Sequence, residues 1–177
     1  MSKDKHFSDI NVKIIKDEDN FFSLKAEPFE RGYGVTLGNS LRRILLTSIP
    51  GAAITSIKID GVQHEFTAID GVKEDLTDIV LNLKEVRFKM INEGPENINI
   101  SLQGPTSFTA KDIDKQLNDF KVLNKNHHIA EITADRKIDI ECRVSRGKGY
   151  SLATNNKRSD DTIGTIPIDA IYNPIKN

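Results

Sequence analysis

Residues 36–49 read Thr-Leu-Gly-Asn-Ser-Leu-Arg-Arg-Ile-Leu-Leu-Thr-Ser-Ile, and the rest of the chain is arranged around this stretch. At roughly 100° per residue, Leu37, Leu41, Ile44 and Leu45 gather on one side of a helix. Asn39, Arg42, Arg43 and Leu46 gather on the opposite side. Arg31-Gly32-Tyr33-Gly34 leads in, Thr36 is placed to cap the first turn, and Pro50-Gly51 ends the run. The second side is polar with a leucine at its centre. That pattern fits two readings: solvated arginines beside one stray Leu, or a protein-contact face.

Short alternating segments surround this helix. Ile10–Ile15 and Phe21–Ala26, separated by the charged turn Lys16–Asn20, predict an antiparallel hairpin. Beyond Pro50-Gly51, Ala53–Ile59 reads as a strand, Asp60-Gly61 as a turn and Val62–Phe66 as a partner strand. Leu76, Ile79, Val80 and Leu83 follow helical spacing, and the early acids Glu74, Asp75 and Asp78 with the late Lys84 suit the helix dipole. Val86–Met90, Ile98–Leu102 and Ser107–Lys111 read as further strands, with Asp112–Phe120 a loop or short helix. Ile129–Thr133 and Lys137–Val144 predict a second hairpin through Ala134-Asp135-Arg136. Thr154–Thr162 has charges but no apolar periodicity and predicts a mobile surface loop. Ile163–Ile175 is strand-like. The class is therefore α+β. The expected organisation is a first subdomain at residues 1–50, an inserted β-rich subdomain at 51–166, and a return toward the first at 167–177.

No motif for chemistry stands out. Gly32, Gly34 and Gly38 have the wrong spacing for a dinucleotide loop, so no cofactor is expected. The neighbours His127 and His128 point to opposite faces of a strand, and Cys142 is the single cysteine, so no metal site is expected. No Ser, Thr or Cys has a recognisable base and orienter. Glu74-Asp75 reads as a helix start, and Asp160-Asp161 as a solvated pair. The remaining polar candidate is Arg146-Gly147-Lys148-Gly149-Tyr150, either a basic turn or a grip for a phosphate or a carboxylate-rich partner.

Charge and cysteine content narrow the partners. Lys+Arg is 25 and Asp+Glu is 26, a net charge of -1, which lacks the basic excess of a primary nucleic-acid binder. One cysteine in 177 residues suits a reducing, cytoplasmic setting. No apolar run reaches the ~20 residues of a membrane span, so no membrane association is expected.

Several blocks together resemble a known family. They are Glu27–Asn39, Leu41–Leu46, Ile59-Asp60-Gly61-Val62, His64-Glu65, Gly71-Val72-x-Glu74-Asp75, Leu81–Lys84, Arg146–Tyr150 and Ile168-Asp169-Ala170-x-Tyr172-x-Pro174. In order and content they resemble the N-terminal domain of the bacterial RNA polymerase α subunit. The resemblance implies a non-catalytic scaffold that dimerises and recruits the β and β′ subunits. It implies core and dimer contacts for Leu37, Leu41, Ile44 and Leu45. It implies β-subunit contacts for Arg43 and Leu46, and β′-subunit contacts for Lys84 and Ile168. The family's chain continues past Asn177 with a second dimer helix, a linker and a DNA-binding domain. A weaker dimer is therefore expected here, and DNA contact only through the parent complex. The competing reading is a nucleic-acid module using Arg42, Arg43, Arg146 and Lys148. The low net charge and the small aromatic content, 6% of residues, weigh against it.

Overall fold

The first two strands form the hairpin that their alternation predicts. A computed structural model describes residues 10–18, 21–62 and 66–175. In it β1 (Asn11–Glu18) and β2 (Phe21–Glu27) pair antiparallel, from Asn11↔Glu27 to Glu18↔Phe21. β1 runs past the turn expected from Lys16, because the register shifts between Ile14 and Lys16 and leaves Ile15 unopposed. Lys16–Glu18 (2.9 Å) and Lys25–Glu27 (2.8 Å) then bridge along the strands, where residues two apart share a face. Asp19 and Asn20, the remainder of that expected turn, lie outside the described residues.

Helix α1 spans Tyr33–Thr47, so it starts three residues before the expected cap. Gly32 takes φ +90°, a left-handed turn that a side chain would resist. The Tyr33 amide donates to the Glu30 carbonyl at 3.1 Å. Thr36 is thus an interior residue, and its carbonyl accepts a bond from Ser40 Oγ at 3.0 Å. Pro50-Gly51 does not form a turn. It opens β3 (Pro50–Ile59), where proline is tolerated as the first residue of a strand.

The chain divides into two units whose boundary falls inside α1, between Ile44 and Leu45. No described residue of the first unit is buried. The core belongs to the second. There α2 (Leu76–Lys84) begins at its N-cap Asp75, whose carboxylate accepts the Asp78 amide at 2.8 Å, and it buries Leu76, Ile79 and Leu83. The chain continues through β4 (Phe88–Met90), β5 (Glu96–Gln103), β6 (Thr106–Thr109), α3 (Ala110–Asp114), β7 (Phe120–Val122), β8 (His128–Ile132) and β9 (Lys137–Lys148). It ends in β10 (Tyr150–Ser151), α4 (Ala153–Asn156), β11 (Ile166–Pro167) and β12 (Ala170–Ile171). The main sheet has the order β11-β3-β9-β5 and is antiparallel throughout. Ile138, Ile140, Cys142 and Val144 of β9 alternate inward and meet Ile98 and Ile100 of β5 and Ile57 and Ile59 of β3 in one buried cluster.

Three expectations change here. β8 and β9 do not form a hairpin. β8 pairs with β6 (Thr106↔Ile132), and β9 pairs with β5 (Gln103↔Lys137). The breaks at Gly104-Pro105 and at residues 133–136 lie opposite one another, held by Gly104 N–H to Arg136 C=O at 3.0 Å. A single two-stranded ribbon therefore turns a corner from one sheet into another. The link of 133–136 is short enough for a hairpin, and alternation alone does not choose the partner. Second, Val62 and Phe66 are not in a strand, and residues 63–65 lie outside the described residues. Third, residues 166–171 run along the second unit, as β11 on β3 (Ile166↔Ile57) and β12 on β10 (Tyr150↔Ile171).

Candidate functional site

Helix α1 presents its side chains almost entirely to solvent. Leu41, Ile44 and Leu45 are 52%, 54% and 41% exposed, while Leu37 is half-buried. These four were expected to supply core as well as dimer contacts, and within the chain none of them is core. The helix occurs where the hairpin supplies no buried side chain for it to cover. Arg42 and Arg43 are exposed, whereas Leu46 is half-buried. Val12, Ile14, Ile15, Phe21, Phe22 and Leu24 of the hairpin are also each about half exposed or more. Water-facing apolar surface on this scale marks a protein or membrane contact, a ligand groove or an aggregation-prone face.

A second cluster forms where the end of α2 reaches the segment after β11. Lys84 Nζ lies 3.4 Å from Asp169 Oδ2, and the Ala153 amide donates to Asp169 Oδ1 at 2.7 Å. The Ala153 amide, followed by the Tyr150 hydroxyl and Lys84, holds the Asp169 carboxyl below its ordinary value although partial burial pushes the other way. The same hydroxyl bond raises the Tyr150 phenol. The structure thus brings Lys84 and residue 168 to one corner. It buries Ile168 itself at 2% exposure, so the Ile168 side chain is core and cannot meet a partner. Burial alternates along the segment that links β11 to β12: Ile166, Ile168 and Ala170 are buried, and Asp169 between them is only partly so. Tyr150 belonged to the expected polar segment and Asp169 to a family block, but their joining with Lys84 at one corner was not read from sequence. The available signal was the polar residue between two inward apolar ones.

The basic segment Arg146–Tyr150 ends β9 and turns at Gly149 into β10. Arg146 and Lys148 share one face of β9, and Arg146 Nη1 bonds Glu93 Oε1 at 2.6 Å. An open groove of about 480 Å³ runs between Glu93–Pro95 and Ser145–Lys148, with Arg158 beside it.

Thr154–Thr162, expected as a mobile loop with a solvated acidic pair, is anchored. Arg143 Nη1 bonds Asp161 Oδ1 at 2.7 Å and Nη2 bonds the Asn156 carbonyl at 2.8 Å. The two ion-pair side chains are 9% and 12% exposed. Burial works to raise the Asp161 pKa, but the Arg143 bond and the Arg158 amide outweigh it, and the carboxyl sits below its ordinary value. Glu74 and Asp75 do not share a task. Asp75 caps α2, and Glu74 accepts from His128 Nε2 at 2.8 Å and from the Glu131 amide at 2.7 Å. Cys142 is buried, its thiol pushed up to about 12 by desolvation, so it is inert. Among the described residues, no three His, Cys, Asp or Glu side chains converge as a metal site would require.

Residues 57–173 match the family profile described as the RNA polymerase Rpb3/RpoA insert domain. The chain is 48% identical over 168 residues to the DNA-directed RNA polymerase subunit alpha of Salinibacter ruber, covering 95% of this chain and 51% of the relative. It is 54% identical over 152 residues to that of Prosthecochloris aestuarii, covering 86% and 46%. It is 46% identical over 172 residues to that of Limosilactobacillus reuteri, covering 96% and 54%. This chain belongs to the bacterial RNA polymerase α-subunit family.

The chain spans about half the length of these family members. The insert-domain match lies within the second unit and includes α2, Lys84, Asp169, the Arg143–Asp161 pair and the groove beside β9. Helix α1 precedes it and is covered by the longer alignment to the Salinibacter family member, which leaves few residues of this chain unmatched. No helix among the described residues is long and apolar enough to cross a membrane.

Proposed function

We propose that this chain is a non-catalytic assembly scaffold of DNA-directed RNA polymerase. It pairs with a second α subunit through the hairpin and the Leu41/Ile44/Leu45 stripe of α1. The opposite side of α1, through Arg43 and Leu46, meets the β subunit. The corner made by Lys84, Asp169 and Tyr150 meets β′, with Ile168 supporting it from within. In this reading the hairpin and α1 form one part of a split dimerisation subdomain, and the β-rich unit is the inserted one. The observation that carries the proposal is that no described residue of the first unit, which holds the hairpin and α1 as far as Ile44, is buried. Covering by another chain would bury such a unit, at about 1.5–3 kcal/mol for each aliphatic side chain fully covered. The Arg43 side chain is exposed, so its truncation opens no cavity.

The test is capture of purified β subunit by the tagged chain, repeated with Arg43→Ala. The parent chain is expected to retain β. The variant is expected to lose about 2 kcal/mol of binding, roughly thirtyfold, with an unchanged melting transition. Equal capture by parent and variant, or no capture by either, would contradict the reading.

A further inference from the structure

The end of β9 has an open edge. On one side β9 pairs with β3 all the way to Lys148 (Pro50↔Lys148). On the other side pairing with β5 stops at Glu96↔Val144. Ser145, Arg146, Gly147 and Lys148 therefore continue the strand with nothing hydrogen-bonded to their outer edge among the described residues. This edge is the wall of the groove, and Glu93-Gly94-Pro95 forms the facing wall.

The chemistry along this edge is specific. Arg146 and Lys148 project to one side of β9 because they are two residues apart. Gly147 faces the other way, where a Cβ would stand 2.3 Å from Tyr172 Cε2, so the backbone here lies directly on the Tyr172 ring. Arg158 adds a third cation to the lining. Lys148 and Arg158 form no ion pair among the described residues, and Arg146 is held by Glu93, whose side chain is 88% exposed. A carboxylate from the chain itself thus already sits on Arg146, loosely and replaceably.

We infer that this groove is a docking site for an extended, acidic segment of a partner polypeptide, which adds as a strand to the free edge of β9 at Ser145–Lys148. Main-chain bonds to the edge hold the segment, and its carboxylates displace Glu93 from Arg146 and reach Lys148 and Arg158. A nucleic-acid strand fits less well. Three cations with a carboxylate among them make a short and interrupted track, and no aromatic side chain lines the groove for base stacking. The site uses none of the residues assigned to β or β′.

The probe is a fluorescein-labelled Glu-Thr repeat peptide of about ten residues, titrated with this chain at physiological salt and followed by anisotropy. Saturable binding is expected. Lys148→Ala and Arg146→Ala should each weaken it at least about tenfold, and Glu93→Gln should tighten it by removing the competing carboxylate. Methylating alternate backbone nitrogens of the peptide should abolish it, because a methylated amide cannot donate to the strand edge. Lys148 and Glu93 are exposed, so the test stands even if Arg146→Ala fails to fold. The inference is overturned by absence of saturable binding or by indifference to Lys148→Ala and Glu93→Gln. Undiminished binding of the methylated peptide, or tighter binding of oligothymidylate of equal charge, also overturns it.

Discussion

Arg143 stands on β9 between Cys142 and Val144, 7% exposed, and spends its donors on Asp161, the Asn156 carbonyl and Thr55 Oγ1. A buried ion pair adds little net stability over an apolar substitute, but removing one partner strands the other charge. Asp161→Ala is therefore expected to lower the unfolding free energy by about 3 kcal/mol in denaturant titration. The double variant Arg143→Met, Asp161→Leu should recover most of that loss. The same pair sets an acid limit. Asp161 is depressed below its ordinary 3.8 in the folded chain, so its contribution is full above that value. It is lost as pH falls from 3.8 through the lower folded value. Asp161→Ala should accordingly flatten the stability-versus-pH curve in that range, and an unchanged curve would remove Asp161 from the account. None of this was legible in Thr154–Thr162, because periodicity registers apolar faces and not a charge that pairs with an arginine eighteen residues away. That Glu74-Asp75 opens a helix was legible, because helix starts are marked locally in sequence, and the structure adds that Asp75 is the N-cap.

At the scale of elements, α1 and α2 were both readable from spacing, yet they serve opposite ends. The stripe of α2 is core, and the stripe of α1 is exposed. Periodicity says that a face is apolar and not what covers it. The same limit explains β8 and β9, whose alternation was clear and whose partners were not. A polar residue between inward ones, Asp169, was the overlooked sign of the Lys84 corner. Gly38 offers a test of α1 on its own. A Cβ at this position meets nothing within 4 Å, and glycine inside a helix costs about 1 kcal/mol relative to alanine. Gly38→Ala is expected to slow amide exchange along α1 by about fivefold while leaving the sheets of the second unit unchanged. If exchange in α1 does not respond, the helix is held by something other than its own propensity.

Across the described residues, burial is confined to Leu45 onward, and none of the residues before it is buried. Melting of the chain should therefore report the second unit, and the first unit should gain protection only on association. Doubly substituted Leu41→Lys, Ile44→Lys is expected to melt as the parent does, since neither side chain is buried. The central claim, that the first unit is completed by a second chain, is tested most directly by sedimentation velocity across a concentration series on the parent and this double variant. The account predicts a parent that shifts from monomer toward dimer with concentration and a variant that stays monomeric. A parent that remains monomeric throughout, or a variant that dimerises equally well, would contradict it.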